Sequence, residues 1–238
     1  MFLKIVLLGL LAALPHSAGA LTLSDIRTNA RTLVQDSGTA TSRLRFSDAK
    51  IDEFSNECQR EAVGTVYPLM ESYQFELVAQ TTYYSLPNNF LAVKRLTWKG
   101  RVLPEKSPVN LDQTKEWESI SGTPINYFVT FSSRTKVGIY PFPADSSSTG
   151  TIKVDYYSQA DEMDDSADVP FNGVREFYPF HHMITYCAAS RMAAIDGQGS
   201  LAAMFMQIYV QSLARLSSVA MSRPAYSPAV TPNNQGGQ

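Results

Sequence analysis

The chain has 238 residues, of which 18% are charged, and its formal net charge is -2 at pH 7. Such a length allows one large or two small domains with a hydrophobic core. The near-neutral charge argues against a general nucleic-acid-binding protein, because such proteins neutralise phosphates with a basic surface. It is compatible with DNA that merely passes by.

The first twenty residues have the layout of an export signal. Lys4 precedes an apolar run from Ile5 to Leu14, and the small residues Ala18, Gly19 and Ala20 follow. The uniformly apolar part is too short to cross a bilayer, which needs roughly 20 residues. Three interpretations stay open at this point: cleavage after residue 20, retention as an apolar arm, and a misplaced start.

Two helices are predicted next. Thr22 and Asp25 form a capping-box pattern ahead of apolar residues on one helical face, which predicts a first short helix. Ser47 is a good N-cap for a second helix. Its apolar stripe comprises Ile51, Phe54, Cys58, Ala62 and Val66. The opposite face, which includes Asp52 and Glu57, is most simply solvated.

At Phe75 the apolar period changes from about 3.6 to 2, which predicts a β-rich region. Strands are predicted over 75–78, 82–86, 91–98, 101–103, 125–131, 136–140 and 151–157. Lys99-Gly100 predicts a hairpin between the third and fourth of these strands. A helical piece is predicted to begin at Ser107-Pro108 and to run to about Glu118.

Two more helices follow the acidic segment Asp161–Asp168. The third helix is predicted to end at Asp196-Gly197, where glycine can take the left-handed cap conformation. The fourth is capped by Ser200 and continues to about residue 221. It contains a single charged residue, Arg215, and such an apolar helix usually packs on more than one side. The residues from 222 onward are rich in Pro, Asn, Gly and Gln and would not order alone.

The sequence therefore predicts an α+β fold. Two N-terminal and two C-terminal helices form a helical bundle with a central β-rich insertion and a flexible C-terminal tail. The predicted segments are 1–20 (signal-like apolar segment), 21–74 (N-terminal helices of the bundle), 75–169 (β-rich insertion), 170–222 (C-terminal helices) and 223–238 (extended tail).

No residue pattern indicates an enzyme. The histidines 181 and 182 and Cys187 are the only cluster of metal-ligand residue types, and adjacent helical residues project about 100° apart, so at most one histidine shares a face with Cys187. The acidic segment lacks the glycine and the terminal glutamate of an EF-hand loop. Phosphate-binding glycine loops and nucleophile elbows are absent from the sequence. We predict no catalytic residues, no metal and no cofactor.

The two cysteines, Cys58 and Cys187, allow one disulfide if the protein is exported. Each occupies an apolar position of a predicted helix, where a free cysteine behaves as a small hydrophobic residue. This favours two buried thiols over a disulfide.

Six short fragments occur in a fixed order along the chain: Leu23–Arg27, Phe46–Phe54, Asn56–Glu61, Tyr84–Leu91, Gly122–Pro124 and Ile139–Pro143. With the closing pair of helices, this order resembles the head-tail adaptor (connector) proteins of tailed bacteriophages, particularly the short-tailed type, over residues 21–222. The resemblance implies a structural virion protein that forms a homo-oligomeric ring, commonly a dodecamer, beneath the portal protein. The leading segment departs from the family, whose members assemble in the host cytoplasm without export.

The resemblance also implies partners and surfaces. The partners are the portal protein, the tail nozzle or tail tube protein, and passing double-stranded DNA without sequence-specific contact, at the head-tail junction of the virion. Portal docking is expected in the tail, at Arg223, Pro224, Tyr226, Pro228, Val230 and Pro232. Subunit contacts are expected on the apolar last helix, at Met204, Ile208 and Leu216. The competing hypothesis is an exported bacterial surface or binding protein with a cleaved signal peptide.

Overall fold

The computed structural model of the protein describes residues 19–36, 38, 44–131 and 135–222. Within these ranges the helices are α1 (Leu23–Leu33), α2 (Asp48–Val66), α3 (Pro108–Leu111), α4 (His182–Ile195) and α5 (Gly199–Ser222). The strands are β1 (Met70–Leu77), β2 (Tyr83–Ser85), β3 (Phe90–Trp98), β4 (Arg101–Leu103), β5 (Asn126–Phe131), β6 (Thr135–Tyr140) and β7 (Gly150–Ser158). The mixture of helices and antiparallel sheets confirms the α+β class.

Contacts divide the chain into two compact units. The helical unit lies within Met1–Ala62 and Ala160–Ser218, and the sheet unit lies within Val63–Gln159 and Val219–Gln238. The helical unit is therefore discontinuous in sequence, because Val63–Gln159 of the sheet unit separate its two segments.

Local capping signals in the sequence are confirmed. Thr22 Oγ1 accepts a hydrogen bond from the Asp25 N–H at 3.2 Å, and the Asp25 carboxylate accepts one from the Thr22 N–H at 2.9 Å. Ser47 precedes α2 and accepts a hydrogen bond from the Lys50 N–H at 3.2 Å. Gly197, which follows the C-cap residue Asp196 of α4, takes a φ of 73°, the left-handed conformation that favours glycine at a helix C-terminus.

The core of the helical unit is built around α4. Ten of its 14 residues are buried, and a helix that is buried all round must be contacted on several sides. One core cluster joins residues of α1, α2, α4 and α5: Ala30, Val34, Phe46, Ile51, Phe54, Tyr186, Ala188, Ala189, Met192, Ala193, Ala202 and Phe205. The four long helices thus share one core.

The prediction of two buried thiols is wrong, because Cys58 on α2 and Cys187 on α4 form a disulfide. The predicted burial is correct, since both residues are 0% exposed. Apolar spacing places each cysteine on the inner face of its own helix, but it does not show that the two faces meet. In the folded chain their Cα atoms are 6.0 Å apart, a usual separation for a disulfide.

The sheet unit contains two antiparallel sheets, with strand orders β1-β7-β3-β4 and β2-β6-β5. The predicted hairpin is confirmed: β3 pairs with β4, and Lys99 and Gly100 have φ values of 48° and 77°, the positive values that a tight type I′ turn requires at both positions. Residues from both sheets form one core: Leu77, Leu86, Phe90, Leu96, Trp98, Leu103, Tyr127, Val137, Ile139, Ile152, Val154 and Tyr156.

Two element boundaries differ from the prediction by more than one residue. β1 begins at Met70 rather than at Phe75. The sequence did not indicate its first residues, because they are half-buried and show no clean alternation between two faces. The helical piece predicted up to Glu118 ends earlier, since α3 stops at Leu111 and a short 3-10 helix follows at Trp117–Ser119.

Candidate functional site

The helix α5 has two faces of different character. Its buried residues are Ala202, Phe205, Tyr209, Ser212 and Leu216. Exposed residues recur three or four positions apart, and therefore on one face; we call Ala203, Gln207, Val210, Ala214, Ser218 and Met221 the outer stripe. Val210 is 54% exposed and Met221 is 81% exposed. The outer stripe contains no charged side chain, although the exposed Arg215 lies beside it, and we treat the stripe as the candidate assembly surface.

The predicted subunit-interface residues lie at different depths. Met204 and Ile208 are half-buried and pack against the helical core, whereas Leu216 is 0% exposed and so presents no surface to a neighbour. Val210 and Met221, which the sequence analysis did not single out, are the more exposed apolar residues of α5. The helical period of the sequence could have indicated them, because the exposed residues of α5 are offset by about half a turn from the buried ones.

The predicted portal-docking residues lie outside the described residues: Arg223, Pro224, Tyr226, Pro228, Val230 and Pro232. The tail follows directly on α5, whose last residue is Ser222. No helix in the described ranges combines the length and apolar character needed to cross a membrane.

The charged face of α2 is not simply solvated, which corrects the sequence-based interpretation. Arg27 on α1 donates two hydrogen bonds to the Asp52 carboxylate, at 2.5 and 2.8 Å, and the hydrogen bond to Asp52 raises the pKa of Arg27. Arg191 on α4 pairs with Glu57 and with Glu61. Exposed ion pairs contribute about 0.2–1 kcal/mol each, so they mainly influence which helix faces meet.

Two amide side chains of α2 hold the acidic segment, a role that sequence reasoning missed. Asn56 donates to the Met163 carbonyl and accepts from the Met163 N–H, both at 2.9 Å. Gln59 donates to the Asp161 carbonyl and accepts from the Phe171 N–H, both at 2.8 Å. Each buried amide therefore replaces a backbone partner and satisfies groups that would otherwise be buried without a hydrogen bond.

The acidic segment also closes on itself. The Asp168 carboxylate accepts hydrogen bonds from the backbone N–H groups of Asp164 and Asp165, at 2.9 and 2.8 Å. These hydrogen bonds lower the pKa of Asp168. Among the described residues, no group of three or more His, Cys, Asp or Glu side chains is arranged to hold a metal ion.

The two histidines have different surroundings. His181 is 0% exposed, and its Nδ1 accepts a hydrogen bond from the Leu21 N–H at 3.2 Å. His182 Nε2 lies 3.3 Å from Ser212 Oγ. Cys187, the third member of the cluster considered in the sequence, is bound in the disulfide. The structure therefore does not bring these three residues together as metal ligands.

Acid is expected to destabilise the protein through His181. Burial lowers the pKa of His181 from 6.5 to about 4, so between these values the unfolded chain binds more protons than the folded chain. The contribution of the neutral His181 ring to the free energy of unfolding is therefore fully present above pH 6.5 and is lost as the pH falls toward 4. Between pH 7 and pH 5 we expect a loss of about 2 kcal/mol in the free energy of unfolding, measured by denaturant titration.

The matched variant is His181→Asn, which keeps an acceptor for the Leu21 N–H but does not titrate. It should lose less stability than the natural chain over the same pH interval. An equal loss in both proteins would assign the acid sensitivity to other groups.

Comparison with known protein families identifies the class of structure. The chain matches the SU10 adaptor protein family over residues 21–233 and belongs to that family. This confirms the predicted resemblance to bacteriophage head-tail adaptors, so the protein is a structural adaptor and a component of the virion. A search of characterised proteins found no significant match to the chain.

Proposed function

We propose that the protein forms a homo-oligomeric ring, a dodecamer, that joins the portal protein to the tail of a short-tailed phage. The helices form a bundle that carries the β-rich insertion over residues 75–169. The tail, residues 223–238, docks on the portal, and the opposite face of the ring receives the tail nozzle or tail tube protein. The ring encloses part of the DNA passage and assembles in the host cytoplasm.

The outer stripe of α5 is the observation that carries this proposal. The helix has 24 residues and is about 36 Å long, with one charged residue, Arg215, along its whole length. Depletion of charge is typical of the buried centre of a protein interface. A closed ring needs such a surface on every copy, because each subunit contacts a neighbour on both sides.

The charge of the chain suits a passage for DNA. With a formal net charge of -2, the protein lacks the excess of basic residues that holds DNA through its phosphates. A ring of such subunits allows DNA to move through without being retained, and no base-specific contact is required.

Substitution of the outer stripe tests ring formation. Val210→Asp should leave the monomer folded, because Val210 is 54% exposed, and should prevent ring assembly, because an unpaired charge at a buried interface costs several kcal/mol. Circular dichroism reports the fold, and sedimentation velocity reports the ring. Full rings of folded Val210→Asp protein would contradict the proposal.

The matched control is Val109→Asp on α3. Val109 is 69% exposed and lies outside the outer stripe, so the same change should leave ring assembly intact. Ile208→Asp separates packing within the chain from contact with a neighbour: Ile208 packs against the helical core, so this variant should also lower the stability of the monomer.

Removal of the tail tests portal docking. A chain that ends at Ser222 should keep its thermal stability, because the deleted residues have little apolar surface with which to order themselves. It should lose attachment to isolated portal rings in a pull-down or sedimentation assay. A shorter truncation that removes only residues 233–238 keeps the predicted docking residues and should bind as the full chain does. Unchanged portal affinity after the longer truncation would refute the docking role.

One observation favours the competing hypothesis of an exported surface or binding protein. The Cys58–Cys187 disulfide is typical of proteins that function in oxidising surroundings. Released virions also meet an oxidising medium, so the disulfide is compatible with the adaptor role. Ring assembly together with portal attachment separates the two hypotheses.

A further inference from the structure

The four-stranded sheet has two different edge strands. Its order is β1-β7-β3-β4, so β1 lies at one edge and β4 at the other. Consecutive neighbours in this order are antiparallel, and β1 and β4 therefore run in opposite directions. When the β4 edge of one copy meets the β1 edge of a second copy in the same orientation, the two strands are antiparallel and the sheet can continue.

The β1 edge is long and open. β1 pairs with β7 from Met70 to Leu77 without a register shift, and the Leu69 carbonyl accepts a hydrogen bond from the Ser158 N–H at 3.2 Å. Because backbone groups alternate between the two sides of a strand, three residues direct their N–H and C=O groups away from β7: Ser72, Gln74 and Glu76. Proteins commonly block such an edge with lysine or proline, since it is a template for another strand. β1 contains neither.

The β4 edge is short, and its free part centres on Val102. The two-residue turn between β3 and β4 makes Trp98 and Arg101 a hydrogen-bonded pair, so Val102 directs its N–H and C=O groups away from β3. Val102 is 55% exposed. Two residues further on, the Pro104 carbonyl already accepts a hydrogen bond from the Tyr127 N–H at 3.1 Å. The free edge therefore consists of Val102 and the residues before it.

Val102 and the outward-facing residues of β1 have their side chains on the same face of the sheet. Gln74 pairs with Lys153 on β7. Lys153 pairs with Thr97, which pairs with Val102, and side chains directly opposite each other share a face. Pairing of Val102 with an outward-facing residue of β1 in another copy therefore preserves the alternation of the two faces.

The two edges carry opposite charge. Residues 94–103, which form the end of β3, the turn and β4, contain four basic residues and no acidic residue: Lys94, Arg95, Lys99 and Arg101. Arg95 is paired with Asp155, whereas the other three are exposed. β1 contains two acidic residues, Glu71 and Glu76, and no basic residue. A contact of β1 with β1 would bring like charges together, so the charges favour the hairpin of a second copy as the partner of β1.

We propose that the β4 edge of one copy pairs with the β1 edge of the next copy, through Val102 and an outward-facing residue of β1. The proposal rests on the proposed homo-oligomeric ring and names a contact in it besides the outer stripe of α5. Two different surfaces meet in this contact, and such a contact closes a ring when it is repeated around an axis. The sheet then continues from one subunit to the next.

Cysteine cross-linking of the full-length chain tests the contact. Val102→Cys is combined in turn with Ser72→Cys, Gln74→Cys and Glu76→Cys. Mild oxidation of the assembled protein should link one of these combinations into multimers on a non-reducing gel. A link within one chain is excluded, because β1 and β4 are three strand spacings, about 14 Å, apart, and a disulfide needs Cα atoms within about 7 Å of each other. Val102→Cys alone and Gln74→Cys alone are the matched controls and should form no multimers.

The outcomes separate the edge contact from the ring. Rings in which none of the three combinations cross-links would overturn the edge contact and leave the proposed ring standing. Dimers of Gln74→Cys alone would also overturn the edge contact, because they show β1 paired with β1. A natural chain that forms no rings would refute the ring, and the edge contact with it.

Gln74→Pro tests the backbone hydrogen bonds of the contact. Proline is tolerated in an edge strand where the lost N–H faced solvent, so the separate chain should keep its circular dichroism spectrum. The concentration needed for half assembly should rise several-fold, because a hydrogen-bond donor of the contact is lost. Gln74→Thr keeps the N–H and should assemble as the natural chain does. Equal assembly of the two folded variants would contradict the pairing, and if Gln74→Pro unfolds, the cross-linking decides.

Discussion

Reduction of the Cys58–Cys187 disulfide is expected to lower the free energy of unfolding by about 4–5 kcal/mol. The two cysteines are 129 residues apart in sequence, and a disulfide that closes so long a loop removes many conformations from the unfolded chain. The reduced chain regains them, so the folded state loses relative stability. Denaturant titration with and without a reductant measures the difference, and alkylation followed by mass measurement verifies the redox state.

The double variant Cys58→Ala with Cys187→Ala is the matched control for this experiment. It should have a lower stability than the oxidised chain, and its stability should not respond to the reductant. Because both cysteines are fully buried, the reductant acts only when the helical unit opens, so samples must reach equilibrium in denaturant. Identical unfolding midpoints for the oxidised and reduced natural chain would refute the prediction.

Gly138→Ala is expected to destabilise the sheet unit by about 3 kcal/mol, the upper part of the usual cost of overpacking. Gly138 on β6 pairs directly with Phe128 on β5, and an added Cβ would lie 2.1 Å from the Phe128 ring. The Phe128 ring cannot move away easily, since the Trp117 and Tyr83 rings pack edge-on against it, with centroid separations of 5.3 and 5.8 Å. Thermal or chemical denaturation measures the loss.

Gly64→Ala on α2 is the control for the same chemical change. An added Cβ at Gly64 meets nothing within 4 Å, and replacing a helical glycine by alanine stabilises by roughly 0.5–1 kcal/mol. The two variants should therefore change stability in opposite directions. A Gly138→Ala protein as stable as the natural chain would show that the Phe128 ring can be displaced at little cost.

The elements that could be predicted depend on residues close together in the chain. The capping pair Thr22 and Asp25, the turn at Lys99-Gly100 and the end of α4 at Gly197 each involve a few consecutive residues, whose backbone preferences act locally. The helical period likewise indicated which residues of α2 are buried.

The exposed face of α5 that we propose for assembly could be predicted only in part. The shortage of charge along the last helix is visible in the sequence and marks it as a candidate surface. Which of its residues face inward depends on how α5 lies on the core: Leu216 is buried there, whereas Val210 is exposed. The resemblance to head-tail adaptors could be recognised from the order of short fragments, because a family signature is a property of the sequence itself.

The sequence alone indicated the long helices, most of the strands, several caps and turns, and the resemblance to the family. The tertiary structure decided which of these elements meet: it joined Cys58 to Cys187, set Arg27 against Asp52, and placed Asn56 on the backbone of the acidic segment. The physical reason is the range of the interactions. Backbone propensity and side-chain period act within a few residues, whereas these contacts join positions 25, 107 and 129 residues apart, and only the packing of the complete core selects them.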